Sequence, residues 1–240
     1  MSADIPYFEL IERAPPGSPW IVMVHGVSQD RRIFSTQVEA FATDYQLILI
    51  DLPGHGLSAD LPGPYGLEEF AESIHRALKR AGVDTPVFWG THLGAGAGLL
   101  LACRNQSLFQ SLILEAPVFP GRPLPAVNDL LSRIGKTARV HGIESARAQW
   151  WQEGGWFSIM RDNPEQCRAD EQLAIISDFT GRPWLDAGLA SRPIAPIDQA
   201  LAKLGCPTFI INGEFDLQDF QDVAVSLSQA LPDSQRVTIG

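Results

Sequence analysis

The chain has 240 residues, 45% of them hydrophobic and 19% charged. That composition is globular rather than disordered or fibrous, and the length lets roughly 70–75% of the unfolded surface be buried without disulfides or metal. Eighteen basic against 28 acidic residues give a formal charge of −10. That sign repels phosphate backbones and anionic lipid, so neither nucleic acid nor a membrane surface is an expected partner.

The three cysteines, Cys103, Cys167 and Cys206, are odd in number and scattered, with no C-x-x-C. They read as buried reduced thiols rather than disulfide partners or zinc ligands. The N-terminal MSADIPYFELIERAPPG lacks a basic segment followed by an apolar run, so it does not read as a secretory signal. No apolar stretch reaches the roughly 18–20 residues of a membrane span. A soluble, cytoplasmic protein is expected.

In chain order, Trp20–Val24 is a short β-rich run ending at His25-Gly26, as a buried strand followed by a tight turn would be. Residues 32–42 carry Ile33, Phe34, Val38, Ala40 and Phe41 and predict an amphipathic helix. Residues 45–52 predict a second buried strand, closed by Pro53 and two glycines. Residues 65–81 repeat the helical pattern through Leu67, Phe70, Ala71, Ile74 and Leu78, with Gly82 placed to end it. A third strand over 86–90 runs into a small-and-leucine segment over 93–102. Residues 111–114 and 208–211 are further β runs, 219–231 predicts a helix, and 237–239 begins another strand. Continuous apolar strands alternating with helices predict a doubly wound, mostly parallel α/β sheet.

Residues 119 to about 198 break this rhythm. They contain no clear buried strand, balance nine Lys/Arg against ten Asp/Glu, and hold Trp150, Trp151, Trp156 and Trp184, four of the six tryptophans. Such a segment between two strands reads as a helical lid over the carboxyl edge of the sheet, where ligands of open parallel sheets bind. The same aromatics could equally form the insertion's own core.

Four punctuated motifs follow four successive predicted strands. They are His25-Gly26-Val27, Asp51-Leu-Pro-Gly54-His-Gly56-Leu-Ser58, Gly90-Thr91-His92-Leu93-Gly94 and Asn212-Gly213-Glu214-Phe215-Asp216. In this order, with the insertion where it falls, the chain resembles the α/β-hydrolase superfamily, in particular its small capped ester, enol-lactone and C–C bond hydrolases. The resemblance runs from about Tyr7 to Gly240. It implies an α/β-hydrolase core over residues 1–118 and 199–240, and a helical cap over 119–198.

By that resemblance, residues 90–94 form the nucleophile elbow, a strand-to-helix turn whose flanking glycines permit close backbone approach. His92 stands at the position where the family carries serine. The implied oxyanion hole consists of the Val27 and Leu93 N–H groups, donors that do not depend on side-chain identity. Asp216 matches the family's acid, Glu115 its alternative acid position, and Trp150, Trp151, Trp156 and Trp184 are the expected pocket-lining aromatics. The family's terminal histidine lies in a G-x-x-H stretch that would begin at Val237-Thr-Ile-Gly240, and neither that histidine nor the family's closing helix is expected among these 240 residues. His25, His55, His75 and His141 fall elsewhere and read as structural. No cofactor or metal is expected.

The function so implied is hydrolysis of a small, fairly apolar ester, lactone or related carbonyl substrate. His92 would serve as nucleophile through an acyl-imidazole, or as general base on water, with Asp216 or Glu115 holding the ring. A helix N-terminus disfavours imidazolium, and both roles need the neutral ring. Two other classes remain open at this point: a non-catalytic ligand- or partner-binding member, and a cofactor-free lyase or oxygenase using the same pocket.

Overall fold

The computed structural model describes residues 5–153, 155–186 and 191–240. The expected core and cap boundaries therefore include residues, 1–4, 154 and 187–190, that lie outside the described set. Seven strands form one sheet in the order β1-β3-β2-β4-β5-β6-β7. They are β1 Phe8–Ile11, β2 Trp20–Val24, β3 Gln46–Ile50, β4 Val87–Thr91, β5 Ser111–Glu115, β6 Thr208–Gly213 and β7 Ser234–Ile239. Every neighbouring pair is parallel except β1 with β3, which run antiparallel with Phe8 opposite Ile50.

The unbroken apolar strands follow from burial on both faces. In β2, Val22 and Val24 pack into the larger core, while Ile21 and Met23 pack into a second core with Phe34. In β3, Ile48 and Ile50 take the first face, and Leu47 and Leu49 the second. The larger core is closed by α2 (Leu67–Ala81) and α3 (His92–Arg104), through Phe70, Ile74, Leu78, Leu99 and Leu100. Helix α2 stops where expected: Gly82 takes φ 68° and donates its N–H to the Leu78 and Lys79 carbonyls.

Two local readings are corrected. Residues 32–42 are not one helix: a 3₁₀ turn over Arg31–Phe34 precedes α1 (Ser35–Phe41), because Asp30 caps the turn by accepting from the Arg32 N–H. The edge strand β1 has no counterpart in the sequence reading, since its half-exposed FELI segment lacks a buried run.

Between β5 and β6 the described residues are helical or irregular. The helices are α4 Pro125–His141, α5 Ile143–Gln152, α6 Ser158–Asp162, α7 Ala169–Asp178, α8 Arg182–Leu185 and α9 Asp198–Leu201. Helices α4, α5, α7 and α8 share a core of their own around Ile134, Trp150, Ile176 and Trp184. Helix α10 (Gln218–Ala230) then joins β6 to β7. No helix among the described residues is long and apolar enough to cross a membrane.

Candidate functional site

The loops after β2, β3, β4 and β6 and the end of β5 meet at the carboxyl edge of the sheet, where parallel strands leave a crevice. His92 occupies the turn from β4 into α3 with φ +44°. That left-handed value is sparsely populated by residues with a Cβ and costs on the order of 1–3 kcal/mol, so the surroundings must hold it. They hold it through close backbone approach. A Cβ at Gly94 would collide with the carbonyl oxygens of Val24 and His25, so a glycine there lets α3 begin directly against the β2 loop. A Cβ at Gly26 would stand 3.2 Å from His92 Cβ and 3.5 Å from its Nδ1. The imidazole thus lies with its Nδ1 edge against the Gly26 loop.

The ring is fixed by aromatic contact. It stacks on Trp156 at 5.8 Å with a 26° interplanar angle, and meets Phe220 edge-on at 5.0 Å. Burial pushes its pKa below the usual histidine value, with the charge of Asp216 pulling the other way. The neutral ring predominates near pH 7.

His92, Trp156 and Phe220 form the partition between two cavities. The first, about 390 Å³, is mostly apolar and is lined by Val27, Leu93, Val118, Leu131 and Trp184. Its size suits a small ligand. Among the described residues, the Val27 and Leu93 N–H groups take no part in the backbone bonds of the turns and loops. The second cavity, about 480 Å³, is lined by Thr91, Glu115, Gln172, Phe215 and Asp216.

Asp216 is positioned by the chain end of β6. Its Oδ2 accepts from the Gly213 N–H at 2.8 Å and from Asn212 Nδ2 at 3.3 Å. Glu115 ends β5 beside Thr91 of β4, its register partner. Burial raises the Glu115 pKa and the Asp216 charge adds to it, while a 3.3 Å hydrogen bond donated by Trp89 Nε1 opposes both. His92, Asp216 and Glu115 border one cavity. No hydrogen bond joins either carboxylate to the imidazole among the described residues.

Of the four tryptophans of the insertion, two border a cavity and two do not. Trp156 borders both cavities and Trp184 the apolar one. Trp150 and Trp151 face neither and build the insertion's own core. Trp150 is fully buried, and its Nε1 donates to Ser28 Oγ at 2.7 Å. Ser28 is thereby engaged as an anchor for the insertion.

The remaining core histidines are structural. His25 Nδ1 bonds the Gly26 carbonyl at 2.7 Å and its Nε2 accepts from the Leu52 N–H, tying the loops after β2 and β3. His55 stacks on Phe179 at 5.0 Å, and burial pushes its pKa down to about 3. Among the described residues no group of three or more metal-ligating side chains comes together. What the sequence reading missed is the polar cavity behind His92, whose Gln172 and Phe215 come from segments far apart in the chain.

A mostly parallel sheet with these loops at its carboxyl edge defines the class. The family model described as the alpha/beta hydrolase fold matches residues 19–240, and the chain belongs to that family. The chain is 27% identical to the "Putative carbamate hydrolase RutD" of Rhizobium rhizogenes over 231 residues, covering 94% of this chain and 85% of that protein. It is 29% identical to the 2-succinyl-6-hydroxy-2,4-cyclohexadiene-1-carboxylate synthase of Citrobacter koseri, covering 89% of this chain and 83% of the relative. The enol-lactonase of Burkholderia xenovorans LB400 superposes with a TM-score of 0.81 at 18% identity, covering 97% of this chain and 87% of that one. The last likeness concerns the fold alone.

Proposed function

We propose that this protein hydrolyses a small, largely apolar ester, lactone or related carbonyl compound, with His92 as general base in place of a serine nucleophile. The observation that carries the proposal is the apolar cavity that His92, neutral by burial, lines together with Val27 and Leu93. The hydrolase-named relative supports the reaction class.

In this reading the carbonyl group lies in the 390 Å³ cavity with its oxygen toward the Val27 and Leu93 N–H groups. His92 takes a proton from water as the water oxygen bonds to the carbonyl carbon. The carbonyl electron pair moves to oxygen, where the two N–H donors hold it; one such donor is worth about 3–4 kcal/mol in a working site. Collapse breaks the bond to the leaving oxygen, which recovers the proton from the imidazolium. The charge of Asp216 balances the transient positive charge. Residues 119–198 serve as the lid over a core of 1–118 and 199–240. The acidic surface suits a small-molecule partner in the cytoplasm rather than nucleic acid or a membrane.

A second reading has its own observation: among the described residues no side chain hydrogen-bonds the His92 ring, which would suit a member of the fold that binds without turning over. Steady-state assays on short p-nitrophenyl esters and small lactones decide between them. The proposal predicts turnover in the wild type and a loss of about 10²–10⁴-fold in His92→Ala. A full rate in that variant would overturn the role of His92. Saturable ligand binding with no turnover of any of these compounds would favour the second reading.

A further inference from the structure

The 390 Å³ cavity is not apolar throughout. Helix α4 turns Asn128, Ser132, Gly135 and Arg139 toward it, at intervals of four, three and four residues, so the four share one helix face. Among the described residues, Arg139 is the one lysine or arginine bordering the cavity, and no aspartate or glutamate borders it. The guanidinium gives one N–H, from Nη1, to the Trp184 carbonyl at 2.8 Å and makes no ion pair with a described residue. The rest of its five donors are thus left without a partner among those residues. Gly135 makes room for this arrangement. A Cβ there would stand 3.1 Å from Arg139 Nη1 and 3.3 Å from the Trp184 carbonyl oxygen, closer than ordinary contact. Glycine weakens a helix interior, and here it gives the guanidinium a berth across the helix face.

A second donor adjoins the first. Trp184 borders the same cavity and is 3% exposed, yet its Nε1–H has no hydrogen-bond partner. Buried polar groups are nearly always bonded, so a lone N–H in a cavity wall calls for an acceptor supplied by a ligand. Both groups are donors, one is a cation, and no acid in the wall offsets it. We propose that this end of the cavity binds a carboxylate of the substrate, which makes the substrate class a carbonyl compound with an acid group at its far end. The carboxylate oxygens accept from the remaining Arg139 N–H groups and from Trp184 Nε1–H, and the carbon chain lies along Leu93, Val118 and Leu131. One guanidinium fork matches the charge and the two oxygens of a carboxylate, whereas a phosphate dianion calls for more than one cation. The inference rests on the hydrolysis reading for the place of the carbonyl; the acid end stands on Arg139, Gly135 and Trp184.

Calorimetric titration with 5-oxohexanoate and 6-oxoheptanoate tests this, with their primary amides as neutral counterparts at matched ionic strength. At least one keto acid should bind saturably and at least tenfold more tightly than its amide, with the gap narrowing as salt rises. Arg139→Met should bring acid and amide to within about twofold. Arg139→Lys should keep part of the preference, because the charge remains and the fork is lost. Trp184→Phe should weaken acid binding severalfold. Equal binding of acid and amide in the wild type, or no binding of either acid, overturns the proposal. So does an undiminished preference in Arg139→Met, or full acid affinity in Trp184→Phe. Ketones are not hydrolysed, so the two readings fail separately. Acid-selective binding with no turnover of any ester upholds the carboxylate site and overturns hydrolysis; turnover of neutral esters with no acid preference does the reverse.

Discussion

His92 carries a left-handed backbone angle and a ring whose charged form burial disfavours, and both fall where two cavities meet. Strain and desolvation concentrated on one residue are typical of a working site rather than of a core position. Ser28 shows the opposite case. It also has a positive φ, 60°, but its hydroxyl is occupied by the Trp150 indole across the seam between sheet and insertion. Ser28→Ala leaves that buried N–H unpaired and should cost about 1–3 kcal/mol in urea denaturation, with esterase turnover largely retained. The sequence could place His92 in its turn because the glycines around it demand a close backbone approach. It could not sort the four lid tryptophans, because which ring borders a cavity depends on how α4, α5 and α8 pack.

At the scale of elements, the tightest constraint is the start of α3 against the β2 loop. Gly94→Ala would gain about 1 kcal/mol of helix propensity but drive a Cβ into two backbone carbonyls that cannot rotate away. A net loss of about 1–3 kcal/mol is expected by chemical denaturation, together with lowered activity, because the shift moves Leu93 and His92 together. Unchanged stability would show that the turn has slack. The buried parallel strands were legible because both faces are covered, giving runs such as WIVMV and QLILI. The edge strand β1 was not, since one half-exposed strand of four residues has no distinctive period. Asp30 likewise converts the start of the expected first helix into a 3₁₀ turn through a cap that periodicity does not register.

Across the whole molecule, the insertion is joined to the sheet by more than packing. Arg32 links Asp30 to Asp178 of α7, Arg192 bridges Glu69 and Glu72 of α2, and His55 stacks on Phe179. One of these contacts rests on a buried neutral histidine, His55, and with His25 and His92 it gives stability a definite pH dependence. His25, His55 and His92 all have folded pKa values below the usual 6.5. Below that pH the unfolded chain binds protons that the fold excludes, so stability falls as pH drops from 6.5, for His55 down to about 3. Thermal unfolding between pH 6.5 and 4.5 should therefore show a steep decline of Tm, shallower in His55→Phe whatever that variant's Tm at pH 8. Equal slopes would contradict the neutral burial of His55. The polar cavity was illegible in the sequence for the same large-scale reason: its walls come from the sheet edge, the insertion and the β6–α10 loop at once.

The account turns on a neutral His92 acting as base, and the pH dependence of kcat/KM for a short activated ester tests this most directly. A base works only when unprotonated, and burial lowers the pKa of this one. The rate should rise with pH to a plateau, with a midpoint below 6.5, and fall away as pH drops through that midpoint. In His92→Gln this rise should vanish with the activity. A midpoint above 6.5, or the same profile surviving in His92→Gln, would contradict the account.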